Sequence, residues 1–125
     1  MWAEAMELLQ SAERLQRQFF HVGRCDDAAC WEPPVDIYET RDGLWVLVAL
    51  PGVASDQLTV AIEGAIIAVA GERPLPIESR RGAIHRLEIP YGRFERRIAL
   101  PAGRFELIEH HLDRGCLVLG LRRRD

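Results

Sequence analysis

Cysteine and histidine side chains near the N-terminus are the first candidates for chemistry in this sequence. Cys25 and Cys30 are separated by four residues, and His21 lies just before them. This gap is compatible with some zinc sites, but a structural zinc site takes four ligands, and the second ligand pair is missing. We therefore predict no metal and interpret the two cysteines as free thiols in a linker.

Nucleophilic catalysis and phosphate chemistry lack their usual residue patterns. The only serines are Ser11, Ser55 and Ser79, and none stands in a nucleophile-elbow motif. The sequence contains no glycine-rich loop of the kind that binds phosphate. His110 and His111 are adjacent on a predicted strand, so their side chains point to opposite faces and cannot share a metal. We predict no catalytic residues and no cofactor, and hence that the protein is not an enzyme.

Arginine supplies every basic side chain, because the 16 basic residues include no lysine. Clusters occur at positions 80–81, 96–97 and 122–124 and could contact RNA. Acidic residues interleave with them, however, and the net charge is −3. Nucleic-acid-binding domains usually carry a clustered positive surface. We interpret the arginines as a paired, solvated surface and predict no nucleic-acid partner.

Length and hydropathy bound the kind of protein that these residues belong to. A chain of 125 residues, 48% of them hydrophobic, is most simply one domain with a real core. No apolar run approaches the roughly 20 residues that a membrane-spanning helix needs. The N-terminus also lacks the basic and apolar regions of a secretory signal. These observations predict a soluble, cytoplasmic protein with no membrane partner.

The N-terminal segment predicts an amphipathic helix, because residues 2–20 contain neither glycine nor proline. Its apolar residues recur at steps of three and four, at Trp2, Met6, Leu9, Ala12, Leu15 and Phe19. The helix either packs on its own domain or binds other copies and client proteins, and the pattern leaves both open. Residues 21–34 are predicted to form a linker, so residues 1–34 comprise an N-terminal helical arm and a linker.

Short alternating segments with frequent turn residues follow and predict a β domain over residues 35–121. Asp42-Gly43 is a strong hairpin signal, and residues 44–50 are apolar on both faces, as in a central strand. The predicted strands are 35–40, 44–50, 58–63, 66–70, 84–89, 93–99, 105–112 and 116–121. Because βαβ spacing is absent, the fold class is an all-β, immunoglobulin-like antiparallel sandwich.

The stretch from Ala83 to Pro101 contains two of these strands, with a hinge at residues 90–92. Pro90 cannot donate a ladder hydrogen bond, so the first strand ends there or lies at a sheet edge. Residues 84–89 are rich in charge and lie outside the body of the domain. Such an edge strand is a candidate for pairing with another chain.

Seven motifs in this order resemble the α-crystallin domain of small heat-shock proteins, over roughly residues 31–121. They are Trp31-Glu-Pro-Pro-Val-Asp-Ile-Tyr-Glu-Thr, Leu50-Pro-Gly-Val, Val69-Ala-Gly-Glu-Arg, His85-Arg-Leu-Glu, Tyr91-Gly-Arg-Phe-Glu-Arg, Leu100-Pro and Gly115-Cys-Leu. The resemblance implies an ATP-independent holding chaperone whose partners are unfolding proteins and a second copy of itself. The alternative is a non-enzymatic adaptor that uses the same sandwich to bind one specific partner.

The resemblance also implies three sets of site residues. The dimer forms when the strand at 84–89 adds to the partner's strand at 35–38, and its interface would contain Val35, Ile37, Ile84, Arg86, Glu88 and Arg96. A groove for clients or for a neighbour's tail would be lined by Leu58, Val60, Ile62, Ile108 and His110. The arm would bind clients or other protomers through Trp2, Met6, Leu9, Leu15, Phe19 and Phe20.

Several residues depart from the family pattern. Arg122-Arg123 replace the usual proline-lysine after the last strand. The chain stops at Asp125, so residues 122–125 form a short end without the usual Ile-x-Ile tail, and we expect a dimer or small oligomer. His110 replaces a small residue and alters one groove wall. Cys116 stands where the family prefers valine and is interpreted as a small buried hydrophobe. Leu75-Pro76-Ile77 has the spacing to replace the tail, although local packing of this loop is the preferred interpretation.

Overall fold

The computed structural model describes residues 22–25 and 28–124, with side chains from Cys30 onward. The predicted N-terminal helix and all six residues of its binding face lie outside the described residues. Nine strands are found within the described ranges: β1 Val22–Cys25, β2 Ala28–Trp31, β3 Val35–Glu39, β4 Gly43–Ala49, β5 Leu58–Glu63, β6 Ile66–Arg73, β7 Gly92–Ala99, β8 Phe105–Asp113 and β9 Cys116–Arg123. Two short 3-10 helices, Ser55–Gln57 and Ile77–Arg80, lie in the connections.

The strands form two sheets, which confirms the predicted sandwich. One sheet has the order β1-β2-β7-β6-β5 and the other β3-β4-β9-β8. All neighbouring strands are antiparallel except β2 and β7, which pair in parallel at Trp31 and Phe94. Because only residues 32–34 join β2 to β3, these two strands lie on one side of the sandwich. The free edges of β5 and β8 therefore lie on the other side.

Alternation along the central strands builds the core between the sheets. In β4, Leu44, Val46 and Val48 are buried, and the strand pairs with β3 and β9 on its two sides, as predicted for a central strand. Their inward neighbours come from β6, β7 and β9. The buried core contains Trp31, Leu44, Val46, Val48, Leu50, Val53, Ile67, Val69, Phe94, Ile98, Leu117, Leu119 and Leu121.

Turn chemistry closes the hairpins where the sequence predicted turns. The Thr40 N–H donates to the Gly43 carbonyl at 2.8 Å and closes the β3–β4 hairpin. Between β8 and β9, Arg114 and Gly115 have φ values of 51° and 81°, the left-handed geometry that a tight hairpin requires. A bulge at Ile108 interrupts the pairing of β8 with β9.

Residues 22–25 and 28–31 differ from the predicted linker, because they form β1 and β2. The Trp31 and Phe94 rings lie 5.2 Å apart, and burial of Trp31 stabilises a short strand with little β propensity of its own. Cys30 is buried and disulfide-bonded, so the prediction of a free thiol is wrong at this position. Three cysteines still allow one disulfide bond. Cys116 is a free, half-buried thiol.

The predicted strand at 84–89 is the other difference. Residues 74–91, here called the β6–β7 loop, contain the 3-10 helix but no strand. A strand requires a neighbour that accepts and donates its ladder hydrogen bonds. No strand is assigned to residues 84–89 in the described part of the chain, so the strand predicted there is not found, whereas the second strand of the stretch forms as β7.

Candidate partner-binding surfaces

Strand β3 is an open sheet edge, because it pairs with β4 alone among the described strands. Val35 lies opposite Val48 and Ile37 opposite Val46, so both side chains are on the core-facing side. Ile37 is nevertheless 40% exposed, since no strand covers it from beyond the edge. An open edge with apolar side chains is a template for a further strand.

Two ion pairs hold β3 at its ends. The Arg96 guanidinium lies 3.5 Å from the Glu32 carboxylate, in the connection that enters β3. The Arg123 guanidinium donates to the Glu39 carboxylate at 3.0 Å at the last residue of the strand. Arg96 is opposite buried Val69 and so lies on the inner face, as predicted from its position between Phe94 and Ile98. Sequence reasoning named Arg96 but missed its partner Glu32 and the second pair.

The 84–89 segment of the β6–β7 loop presents alternating side chains. Arg86 and Glu88 form an ion pair of 3.6 Å, which agrees with the prediction that they share a face. Ile84 is half-buried, whereas Ile89 is 51% exposed. The segment therefore carries charge and apolar surface together, outside either sheet.

The edges of β5 and β8 leave a groove on the opposite side of the sandwich. Leu58, Val60 and Ile62 are opposite Gly71, Val69 and Ile67, so all three lie on the inner face. Leu58 and Val60 pack against the core and remain half-buried, while Ile62 is 37% exposed. The β5 residues predicted to line the groove therefore share the inner face at this sheet edge.

Strand β8 contains the other two residues that were predicted to line the groove. His110 is opposite buried Leu119 and so lies on the inner face, whereas His111 is opposite Val118 on the outer face. The two histidines thus point apart, as their adjacency predicts. Ile108 is the bulge residue and is 47% exposed, so the register does not assign it to either face.

A cavity that was not predicted from the sequence lies at one end of this groove. Its lining combines apolar residues with arginines: Gly64, Ala65, Leu100, Gly103, Arg104, Phe105, Arg123 and Arg124. Arg123 lies 5.3 Å from the centre of the Phe105 ring, and Arg124 pairs with Glu106 at 3.7 Å. The arginine run at 122–124 is a sequence signal for the arginines that line this cavity, but the run alone does not indicate that Phe105 lines it too.

Metal ligation has no candidate within the part of the chain that the structure describes. No group of three or more His, Cys, Asp or Glu side chains there could hold an ion. His111 faces Glu109 at 4.0 Å, a pair rather than a cluster. In the same ranges, no helix has the length and apolar character to cross a membrane.

Two β-sheets packed on a common core, with open edges at β3, β5 and β8 among the described strands, define a sandwich of the α-crystallin type. The match with known proteins is specific: residues 36–124 fit the family described as "Hsp20/alpha crystallin family". The chain belongs to this family. The relatives that it resembles are described as heat-shock proteins.

Relatives and a solved structure support this assignment. The chain is 32% identical over 89 residues to the "22.0 kDa heat shock protein" of Arabidopsis thaliana, covering 70% of this chain and 46% of that one. It is 33% identical over 99 residues to the "16.9 kDa class I heat shock protein 1" of Triticum aestivum, covering 78% and 66%. The structure of hspA from Xanthomonas axonopodis superposes with a TM-score of 0.67 at 30% identity, covering 75% of this chain and 95% of that one. This chain thus spans less than two thirds of the length of the two sequence relatives.

Proposed function

We propose that the protein is an ATP-independent holding chaperone, which binds unfolding proteins and suppresses their aggregation. The observation that carries the proposal is the groove between β5 and β8. There Leu58 and Val60 are half-buried and Ile62 is 37% exposed, although all three face inward. Inward apolar residues that no third element covers are suited to apolar segments of another chain.

The energetics of such capture need no nucleotide. Each square ångström of apolar surface removed from water contributes about 25 cal/mol, so a few client side chains in the groove give reversible binding. The free edges of β5 and β8 offer backbone hydrogen bonds to an extended client segment. Arginines and acids on the surface, such as the Arg97–Glu63 pair, keep the loaded complex soluble.

We further infer that two copies dimerise by strand exchange. Residues 84–89 of one protomer would pair with the β3 edge of the other. The open edge at Val35 and Ile37 and the shared face of Arg86 and Glu88 support this arrangement. The N-terminal arm, with its apolar stripe, would add a second client or assembly face.

The test measures aggregation of several unrelated heat-labile proteins by light scattering, with near-stoichiometric chaperone and no nucleotide. We expect suppression of several clients, and weaker suppression by the double variant Ile62→Ser with Ile108→Ser. Ile77→Ser is the matched control, because Ile77 is 62% exposed but lies in the β6–β7 loop. A requirement for ATP, or tight binding of one folded partner without suppression of any client, would refute the holding function; the second result identifies an adaptor.

A further inference from the structure

The cavity at the end of the groove has a lining that combines positive charge with apolar surface. Its volume is about 900 Å³, within the usual range of ligand-binding pockets. The charged residues of its lining are all arginines, namely Arg104, Arg123 and Arg124, and Leu100 and Phe105 add apolar surface. A lining of this kind suits a ligand that has both a negative group and an apolar body.

The cavity continues from the two strands that border the groove. Gly64 and Ala65, which line the cavity, directly follow Glu63, the last residue of β5. Phe105, on the other side of the lining, is the first residue of β8. The exposed side chain of Ile62 therefore lies two residues before the lining begins. An extended segment that lies between the two strand edges reaches the cavity at this end.

Two of the three arginines already have acidic partners. Arg123 Nη2 donates to the Glu39 carboxylate at 3.0 Å, and Arg124 Nε lies 3.7 Å from the Glu106 carboxylate. Arg104 forms no ion pair with any residue that the structure describes. Because three positive charges meet only two paired carboxylates, the lining has an excess positive charge at Arg104.

The backbone beside Arg104 is held in place. The Arg124 N–H donates to the Arg104 carbonyl at 2.7 Å. The preceding residue, Gly103, has φ of +132°, and a Cβ added there would lie 3.3 Å from Phe105 Cε2 and 3.7 Å from Arg123 Nη1. This part of the lining therefore packs closely on the ring and on the guanidinium. A charged side chain on a fixed segment of backbone loses less entropy on binding than one on a free loop.

We propose that the cavity is an acidic subsite of the groove, which binds an Asp or Glu side chain next to an extended apolar segment of a client protein. The proposal rests on the holding function proposed above and names the class of client segment that the groove prefers. The client carboxylate pairs with the Arg104 guanidinium, whose planar fork can donate two parallel hydrogen bonds to it. The neighbouring apolar side chains of the client lie along the inner face of β5, at Leu58, Val60 and Ile62.

The test uses the full chain and two fluorescent peptides whose termini are blocked, so that no terminal carboxylate competes. Both peptides contain the extended apolar segment Ile-Thr-Val-Thr-Ile, which is flanked at each end by Glu in one peptide and by Gln in the other. The protein variants are Arg104→Gln and the control Arg114→Gln. The control removes an equal charge from the β8–β9 turn, where the arginine side chain is 93% exposed. Fluorescence anisotropy gives the dissociation constants.

An ion pair at an exposed position changes an equilibrium constant by up to about fivefold. We therefore expect the Glu peptide to bind the wild type about fivefold more tightly than the Gln peptide. Arg104→Gln should remove this difference and leave binding of the Gln peptide unchanged, whereas Arg114→Gln should keep the preference. The preference should also shrink when the salt concentration rises from about 0.05 to about 0.5 M, because screening weakens exposed pairs.

Equal affinity of the wild type for the two peptides would overturn the acidic subsite and leave the groove as the client surface. An equal loss of preference in both arginine variants would assign the preference to the net charge of the protein, and would also overturn the subsite. If neither peptide binds, or if the Ile62→Ser, Ile108→Ser variant binds both peptides as tightly as the wild type, the groove is not the binding surface. That result would refute the site of the proposed function, and this inference with it.

Discussion

Ion pairs of this domain differ in how much they stabilise the fold. Arg123 is 30% exposed in its side chain, donates to Glu39 at 3.0 Å and lies over Phe105, so three elements meet at one guanidinium. Arg97 and Glu63 are 3.8 Å apart and more than half exposed, in the class of surface pairs that contribute little.

Arg123→Gln should therefore lower the free energy of unfolding by about 1 kcal/mol, with contributions from the ion pair and the cation–π contact. Arg97→Gln should change it by less than about 0.5 kcal/mol. Urea unfolding followed by circular dichroism measures both. Equal losses in the two variants would contradict the assignment of Arg123 as an anchor of the edge strand.

Substitutions at His110 and His111 test which face of β8 binds client proteins. His110 lies on the inner face of β8 and His111 on the outer face, so the same substitution samples opposite sides of one strand. His110→Asp places a carboxylate where apolar client groups would bind, and an unpaired charge in an apolar contact is costly. We expect client suppression to weaken roughly tenfold for His110→Asp and to stay near the wild-type value for His111→Asp. A stronger effect of His111→Asp would move the client surface to the outer face of the sheet.

At the scale of elements, the β6–β7 loop carries the prediction of dimerisation. Deletion of residues 83–89 removes the segment that would pair with the β3 edge while leaving the core residues of both sheets in place. The deletion variant should be a folded monomer with a native circular dichroism spectrum. Multi-angle light scattering gives the mass, and a dimeric mass for this variant would show that another surface holds the copies together.

The β6–β7 loop is a part of the fold that local sequence pattern does not predict correctly. Strands β3 to β9 follow from alternation and turn residues, and the opposite faces of His110 and His111 follow from period-2 alternation. Residues 84–89 have the same pattern but no strand, since pairing depends on a neighbour that the pattern does not contain. Strands β1 and β2 were missed because their pairing depends on burial of Trp31 against Phe94, a contact distant in sequence. The Arg96–Glu32 pair was missed for the same reason.

At the scale of the whole molecule, the buried core found among the described residues lies between Trp31 and Leu121. Removal of residues 1–21 should therefore leave a folded dimer whose holding activity is weaker, because the apolar stripe of the arm is lost. Light scattering of the truncated protein and its aggregation assay measure the two properties. Full activity in the truncated form would assign client capture to the groove alone.

The most direct test of the central claim is co-elution of a heated client with this protein in the absence of nucleotide. A heat-labile client is warmed with the chaperone, centrifuged, and the supernatant is separated by size-exclusion chromatography. We expect the client to remain in the supernatant and to elute with the chaperone in a complex larger than either protein. The Ile62→Ser, Ile108→Ser variant should keep less of the client in the supernatant. A client that pellets regardless of the chaperone, or that is retained only when ATP is added, would contradict the account.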